Sequence, residues 1–181
     1  DLSCSDSDRV YKIGMAQCSK GPWREKVNQE MLAAQHLYER DVKVTIANAF
    51  DDSEWQARQI DSLATTDIDL LVVAPNEDTQ VINDAIAKVR KAGIPVICFD
   101  RKTSADYTAF IGGNNVEAGQ IVGQYAGSIV RGKHPLVMEI TGHMTSTPSQ
   151  ERHQGFEGAM KELSRIEYVC KEGNWSSDEA C

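Results

Sequence analysis

Short runs of β-branched and apolar residues alternate along the chain with longer segments in which apolar residues recur at helical spacing. This alternation is typical of repeated strand-helix-strand units, which build a parallel sheet with helices packed on it. The runs predict strands at Tyr11–Ala16, Lys43–Ala47, Asp69–Ala74, Pro95–Phe99, Ala109–Ile111, Leu136–Ile140 and Glu167–Cys170. We therefore expect an α/β protein with a doubly wound parallel sheet.

The segments between the strands carry apolar stripes that we interpret as helix faces packed on the sheet. In each stripe the apolar residues are three or four positions apart, which places them on one side of a helix. The stripes are Val27, Met31, Ala34 and Tyr38; Ile60, Leu63 and Ala64; Ile82, Ala85, Ile86 and Val89; and Ala118, Ile121, Val122, Tyr125 and Ile129. We expect Ser53 to cap the second helix and Ala92-Gly93 to end the third.

The chain is expected to comprise a polar leader and two α/β lobes. Residues 1–9 are mostly small, polar and acidic, and residues 10–112 hold five strand candidates, enough for one complete lobe. Residues 113–181 supply two strands and two helices, which are too few to cover both faces of a parallel sheet. This segment is therefore expected to be the first part of a truncated second lobe.

Composition and charge exclude several classes of partner. The 27 acidic residues exceed the 19 basic ones, and the net charge of -8 repels nucleic acid. No apolar run approaches the roughly 20 residues that span a bilayer. No basic and apolar leader opens the chain, so the signal peptide of an exported protein would already have been removed.

The cysteines give no sign of a metal site. Cys4, Cys18, Cys98, Cys170 and Cys181 form no CxxC pair and no His-Cys motif, so we predict no bound metal. Cys98 and Cys170 stand in apolar strands and are expected to be small buried residues. A disulfide between Cys4 and Cys18 is an alternative if the protein folds in an oxidising compartment.

Signatures of catalysis are weak. The chain has no HExxH, no GxSxG and no phosphate-binding loop, so we expect no cofactor and no enzymatic activity. His143 with Ser146 is the one candidate for a base and a nucleophile, and it leaves a sugar-modifying enzyme as an alternative.

Polar and aromatic side chains follow several of the predicted strands. Ligands of open parallel sheets lie beyond the carboxyl ends of the strands, so these side chains are expected to line one crevice. Carboxylate, amide and guanidinium groups suit sugar hydroxyls, and indole rings suit the apolar face of a sugar. The candidate ligand-binding residues are Trp23, Arg24, Asp100, Arg101, Asn115, Gln150, Arg152 and Trp175.

Structural roles are open for several of these residues. Asp100 and Arg101 could form an ordinary ion pair at a strand end, and Trp23 could staple the first helix. Asn114-Asn115 could cap a helix after a Gly-Gly turn, and Arg152 could be the partner of a structural ion pair.

From Lys12 onward the chain resembles type I periplasmic sugar-binding proteins such as the ribose-binding proteins. The motifs that carry the resemblance are Pro95-Val96-Ile97 before Asp100-Arg101, Ile111-Gly112-Gly113-Asn114-Asn115 before a helix, and Glu151-Arg152-His153-Gln154-Gly155-Phe156. Together with Ala16-Gln17-Cys18 and Trp23-Arg24, the last motif most resembles periplasmic sensor domains of hybrid two-component systems.

The resemblance implies a two-lobed periplasmic domain that closes on a small carbohydrate and signals to a downstream membrane-anchored kinase. It implies that Asp100 and Arg101 bind hydroxyls, that Asn115 hydrogen-bonds the ligand, and that Trp23 and Trp175 stack on the ring. A soluble receptor of an ABC transporter is the nearest alternative, and a repressor's effector lobe is another. The identity of the sugar and the formation of a homodimer stay open.

Overall fold

The computed structural model describes residues 9–38 and 40–181. The contacts divide the chain into two compact units, one that ends at Ile111 and one of Gly112–Cys181. Residues 1–8 of the predicted polar leader lie outside the described residues. The proposed disulfide partner Cys4 is among them, whereas Cys18 is a buried free thiol.

The elements follow the predicted alternation, and all seven predicted strands are confirmed to within two residues at either end. The strands are β1 (Tyr11–Gln17), β2 (Val42–Asn48), β3 (Leu70–Val73), β4 (Val96–Phe99), β5 (Ala109–Ile111), β6 (Leu136–Thr141) and β7 (Glu167–Glu172). The helices are α1 (Pro22–Leu37), α2 (Ser53–Ala64), α3 (Gln80–Lys91), α4 (Asn115–Ile129) and α5 (Thr147–Lys161). None of the helices in this part of the chain is long and apolar enough to cross a membrane.

The first unit is built on a parallel sheet with the strand order β2-β1-β3-β4-β5. Ile60 of α2 and Ile82 of α3 pack with Leu71, Val73 and Val96 in a core from which solvent is excluded. The strand order reverses at β1, since the chain moves from β1 to one neighbour and returns to the other. In doubly wound sheets this reversal leaves a crevice at the carboxyl ends of the strands, where ligands bind.

The helix boundaries of the first unit correct one predicted cap. Asp52, not Ser53, caps α2, because its side chain accepts a hydrogen bond from the Trp55 amide at 2.8 Å. Ser53 is already the first residue of the helix. The predicted end of α3 is confirmed, with Ala92 at the C-cap and Gly93 at a φ of 83°, a value that glycine adopts without strain.

The predicted core stripe of α1 is wrong. The buried residue of this helix is Arg24, whereas Val27 and Met31 are half-buried and Tyr38, just after the helix, is exposed. The stripes of α2 and α3 are confirmed as core. Hydrophobic spacing therefore found two of the helix faces in this unit and missed the one that carries a buried charge.

In the second unit, β6 and β7 pair in parallel, and α4 packs on α5. The predicted core stripe of α4 is wrong here too, because Ile121, Val122, Tyr125 and Ile129 are all more than half exposed. The buried face of α4 consists instead of Asn115, Gly119, Gly123 and Gly127.

The two helices of the second unit approach one another so closely that their main chains touch. A Cβ on Gly119 would lie 2.0 Å from the Arg152 carbonyl oxygen, and one on Gly155 would lie 1.9 Å from the Val116 carbonyl oxygen. Only glycine permits such an approach at these two positions.

The two strand cysteines differ in burial. Cys98 is buried as predicted, and burial raises the pKa of its thiol to about 12. The predicted burial of Cys170 is wrong, because this residue is exposed. It stands on β7, an outer strand of a two-stranded sheet, where a side chain has fewer neighbours to cover it.

Candidate functional site

The end of β4 turns sharply at Asp100. This residue has a φ of 64°, in the left-handed region, which aspartate tolerates better than most residues. Its amide donates to the Ile111 carbonyl at 2.8 Å, which ties the turn to the end of β5. The backbone is thus fixed on both sides of a carboxylate that stands beyond the carboxyl end of the sheet.

Arg24 reaches this carboxylate from the first turn of α1. Its Nη2 donates to Asp100 Oδ2 at 2.6 Å, and the Arg24 residue is only 7% exposed. Its other terminal nitrogen, Nη1, is buried and has no hydrogen-bond partner among the described residues. A buried donor without a partner costs about 1–3 kcal/mol, so a ligand oxygen that accepted this hydrogen bond would be favoured.

Trp23 provides an aromatic surface next to this pair. Its ring stacks on Phe99 with centroids 5.8 Å apart and an angle of 3° between the planes, yet the residue is 54% exposed. The Arg24 guanidinium lies 4.7 Å from the indole centroid. A fixed and half-open indole beside a carboxylate and a guanidinium is the combination that carbohydrates require.

Arg101 has a structural contact in this unit. Its Nη1 donates to the Asn76 carbonyl at 2.6 Å, and so joins the loop after β4 to the loop after β3. Asn76 is itself buried and donates through Nδ2 to Ser53 Oγ at 3.0 Å. The predicted convergence of the strand ends is therefore confirmed within the first unit for β1, β3 and β4.

An open pocket with a volume of about 590 Å³ lies beside Arg24, at the ends of β1 and β2. Its lining includes Ser19, Lys20, Arg24, Asn28, Asn48 and Phe50. Asn28, Asn48 and Phe50 could not be identified as site residues from the sequence, because surface helices and loops commonly carry such residues. A stronger signal was Gln17, a polar residue at the end of an apolar strand, which is fully buried and donates to Asn28 Oδ1 at 3.1 Å.

In the second unit, Asn115 and Arg152 form a polar network. Asn115 is 6% exposed, its Oδ1 accepts from Arg152 Nε at 2.9 Å, and its Nδ2 donates to Glu151 Oε2 at 3.3 Å. The cap of α4 is Asn114, whose side chain accepts from the Glu117 amide at 3.2 Å. Asn115 therefore does not cap α4, although the sequence allowed that role.

Trp175 completes this group in the second unit. The Arg152 guanidinium lies 6.0 Å from its ring centroid, and the indole packs on Gly142 so closely that a Cβ there would lie 2.1 Å away. The residue is nevertheless about half exposed. Asn115, Arg152 and Trp175 are therefore brought together as predicted, with an amide where the cluster around Asp100 has a carboxylate.

Two other residues that the sequence singled out, Gln150 and Ser146, make hydrogen bonds to the main chain. Gln150 is exposed and donates to the Met144 carbonyl at 2.7 Å, so it supports its own loop. Ser146 is buried, and its hydroxyl donates to the main-chain carbonyl of His143 at 2.8 Å rather than to the imidazole. The alternative of a His143–Ser146 base and nucleophile pair finds no support in this geometry.

A separate group on the second unit has the donor types of a metal site. The ligand atoms of Glu139, His153 and Cys170 all lie within 4.8 Å of one another. These three residues are too far apart along the chain to form a recognisable motif, and the sequence therefore predicts no metal site.

The sequence and the fold of the chain are similar to those of known proteins. The family model of the periplasmic binding protein domain matches residues 13–180. The solved fructose-binding periplasmic domain of a hybrid two-component system has a TM-score of 0.86 and 38% identity, over 94% of this chain and 56% of that one.

Two curated relatives also match. A ribose import binding protein of Bacillus subtilis is 27% identical over 118 residues, which are 65% of this chain and 38% of the relative. A galactofuranose-binding protein of Escherichia coli is 24% identical over 162 residues, which are 87% of this chain and 50% of the relative. The chain thus spans about half the length, or less, of the curated relatives that it matches.

Proposed function

Because the chain belongs to the periplasmic binding protein domain family, we propose that it binds a small carbohydrate in the periplasm as the sensor domain of a hybrid two-component protein. The observation that carries the proposal is the cluster of Trp23, Arg24 and Asp100 at the ends of the strands. The 38% identity to a fructose-binding sensor domain supports the choice of ligand class and of signalling role.

The proposed chemistry assigns different parts of a sugar to different side chains. Asp100 accepts hydrogen bonds from hydroxyl groups, and the unpartnered Nη1 of Arg24 donates one to a hydroxyl or ring oxygen. Trp23 stacks on the apolar face of the ring. Asn115, Arg152 and Trp175 of the second unit are also proposed as carbohydrate-binding residues.

The proposed output is a shift between conformations or between dimer arrangements that a downstream, membrane-anchored kinase detects. The ligand stabilises whichever state binds it more tightly, and this difference in affinity sets the size of the signal. In this proposal the domain is a binding module rather than an enzyme, and no nucleic acid takes part.

Substitution of Asp100 tests the binding proposal. Isothermal titration calorimetry on the complete protein, against D-fructose, D-ribose and D-galactose, is expected to give saturable binding of at least one sugar. Asp100→Ala should weaken that binding about 10- to 100-fold, because a hydrogen bond to a charged group contributes about 1.5–3 kcal/mol.

The matched control is Asp106→Ala. Asp106 belongs to the same unit and also pairs with an arginine, but its side chain is 80% exposed and its partner is Arg90. This variant should keep the affinity of the original protein. An equal loss of affinity in both variants contradicts the proposal. So does a folded protein that binds none of these sugars at millimolar concentration.

A soluble receptor of an ABC transporter is the second candidate, favoured by the names of the ribose and galactofuranose relatives. Deletion of the gene in its host separates the two. Loss of sugar-dependent gene induction with uptake intact supports the sensor, and loss of uptake with induction intact supports the receptor.

A further inference from the structure

Three side chains from three elements of the second unit meet in one place. Glu139 of β6 and His153 of α5 are 2.8 Å apart, measured from Oε2 to Nδ1. Cys170 of β7 approaches the same Nδ1 through its Sγ at 3.8 Å. All three ligand atoms lie within 4.8 Å of one another.

The local fold holds these residues in position. Glu139 and Cys170 are direct neighbours in the parallel register of β6 and β7, so their side chains leave the sheet on the same face. His153 stands on α5, the helix whose Phe156 and Met160 are buried against β6. The side chains of Glu139 and His153 are only 12% and 24% exposed, whereas Cys170 is exposed and leaves a path from solvent.

The geometry differs from that of a catalytic triad. A triad needs the base to contact the nucleophile through one ring nitrogen and the orienting carboxylate through the other. Here the carboxylate and the thiol both approach Nδ1. Three ligand atoms that all lie close to one another, instead of forming a chain, suit a cation.

The donor set and its spacing suit zinc. Zinc takes thiolate, imidazole and carboxylate ligands at about 2.0–2.3 Å in a tetrahedron, which places neighbouring ligand atoms about 3.3–3.7 Å apart. The observed separations of 2.8 and 3.8 Å lie on either side of this range, so small side-chain rotations suffice. A thiolate and an imidazole also disfavour magnesium and calcium, which prefer oxygen ligands.

Tyr168 borders the group, and its hydroxyl oxygen also lies 3.4 Å from His153 Nδ1. Its hydroxyl donates to Glu139 Oε2 at 2.5 Å. A neutral donor of this kind orients a ligating carboxylate, as outer partners of metal sites commonly do.

We propose that Glu139, His153 and Cys170 bind one zinc ion that connects β6, α5 and β7, with water in the fourth position. On binding, the thiol gives its proton to solvent, and His153 carries its proton on Nε2 while Nδ1 coordinates the metal. The ion has no part in sugar binding, and its role is to stabilise the second unit.

Titration of the metal-free complete protein tests the site. Zinc competition against a chromophoric chelator should give one ion per chain. Cobalt as a substitute should give the intense visible bands of tetrahedral coordination and a thiolate-to-metal charge-transfer band. Saturating zinc should also raise the unfolding midpoint by about 3–8 °C, because the ion binds only the folded site.

The variants decide which residues are responsible. Cys170→Ser should abolish the charge-transfer band and the thermal shift, and His153→Gln should weaken zinc binding at least about tenfold. Tyr168→Phe leaves all three ligands in place and should weaken zinc binding less than His153→Gln does. Cys181→Ser is the matched control, since Cys181 is also an exposed free thiol but stands outside the group, and it should bind as the original does.

Two results would overturn the proposal. If zinc and cobalt fail to bind at millimolar concentration, the three residues are only a hydrogen-bonded group that holds α5 to the sheet. If Cys170→Ser binds zinc as tightly as Cys181→Ser does, the ion binds elsewhere.

Discussion

The candidate site owes its chemistry to a single buried arginine. Arg24 is placed by the first turn of α1, pairs with Asp100, and leaves Nη1 without a partner among the described residues. From the sequence, Arg24 could be predicted as a site residue, because it follows the first strand. The burial of Arg24 could not be predicted, because it depends on β4 and the turn at Asp100, which lie about 75 residues further along the chain.

Asp78 is expected to make the stability of the first unit dependent on pH. It joins the loops after β3 and β4, since its carboxylate accepts hydrogen bonds from the Ser104 amide and from Asn83, both at 2.8 Å, and from Thr103 at 3.2 Å. Burial alone raises the pKa of Asp78, but these hydrogen bonds together outweigh it and hold the pKa below its usual 3.8. The charged form is therefore the one that the fold stabilises.

Asp78→Asn should accordingly destabilise the protein at pH 7. The stabilisation is fully present above the unfolded-state pKa and is lost as the pH falls through the lower folded-state pKa. Because the residue is exposed, solvent screening limits the loss to about 1 kcal/mol or less. Urea unfolding at pH 7 and at pH 3 measures the effect, which should shrink at the lower pH.

The control for this prediction is Asp84→Asn. Asp84 is also an exposed carboxylate of the first unit, and the hydrogen bond described for it is the one from Gln80. It should change the free energy of unfolding little at either pH. A loss for Asp78→Asn of the same size at both pH values would contradict the assigned role.

Among the elements, α4 shows most clearly where sequence reasoning fails. Its apolar residues follow the spacing of a buried stripe, yet Tyr125 of that stripe is 65% exposed and the glycines are buried. Hydrophobic periodicity assumes that side chains fill the space between elements. Here the space between α4 and α5 is too narrow for side chains, and the glycines at every fourth position were the signal for it.

Two glycines of α5 should respond oppositely to alanine. Gly155→Ala should destabilise the second unit by about 1–3 kcal/mol, because its Cβ would lie 1.9 Å from a carbonyl oxygen of α4. Gly158→Ala should stabilise it by about 0.5–1 kcal/mol, because a Cβ there meets no atom within 4 Å and alanine favours the helix.

Thermal or urea unfolding of both variants measures these changes. The pair is well matched, since both residues lie on α5 and both receive one methyl group. If Gly155→Ala is as stable as Gly158→Ala, the close approach of the two helices is incorrect.

At the scale of the whole molecule, the strands were predictable from the sequence and the exposed apolar surface was not. In the parallel sheet Val96 is buried and Ile97 is half-buried, and β-branched runs of this kind identify the strands in the sequence. In the second unit, however, Leu136, Met138 and Ile140 of β6 are about half exposed. They form a second exposed apolar surface, similar in composition to the exposed face of α4. Within β6, the run of apolar residues does not distinguish those that face the core from those that face outward.

These apolar surfaces predict that the 181-residue chain by itself associates with a second copy. Exposed apolar patches of several side chains are uncommon on monomers. Sedimentation velocity should show dimers or larger species at about 10–100 μM, and Ile121→Lys combined with Tyr125→Lys should shift the chain toward monomer.

Leu37→Lys is the control for association. Leu37 is 79% exposed at the end of α1, outside this surface, and its substitution should leave association unchanged. A monomeric original chain, or association that survives the double substitution, would contradict the prediction.

The contact between the main chains of α4 and α5 has a mechanical consequence. No side chain separates the helices where Gly119 and Gly155 lie, and at Gly123 and Gly127 the side chains of Ala159 and Leu163 fill the space, so little between the helices can rearrange to absorb a displacement. A movement imposed at Asn115 would reach Gly127, about 18 Å along the axis, almost undiminished. There the Gly127 carbonyl accepts a hydrogen bond from Arg165 at 3.0 Å, so the helix pair would act as a stiff rod between the polar network at one end and the start of β7 at the other.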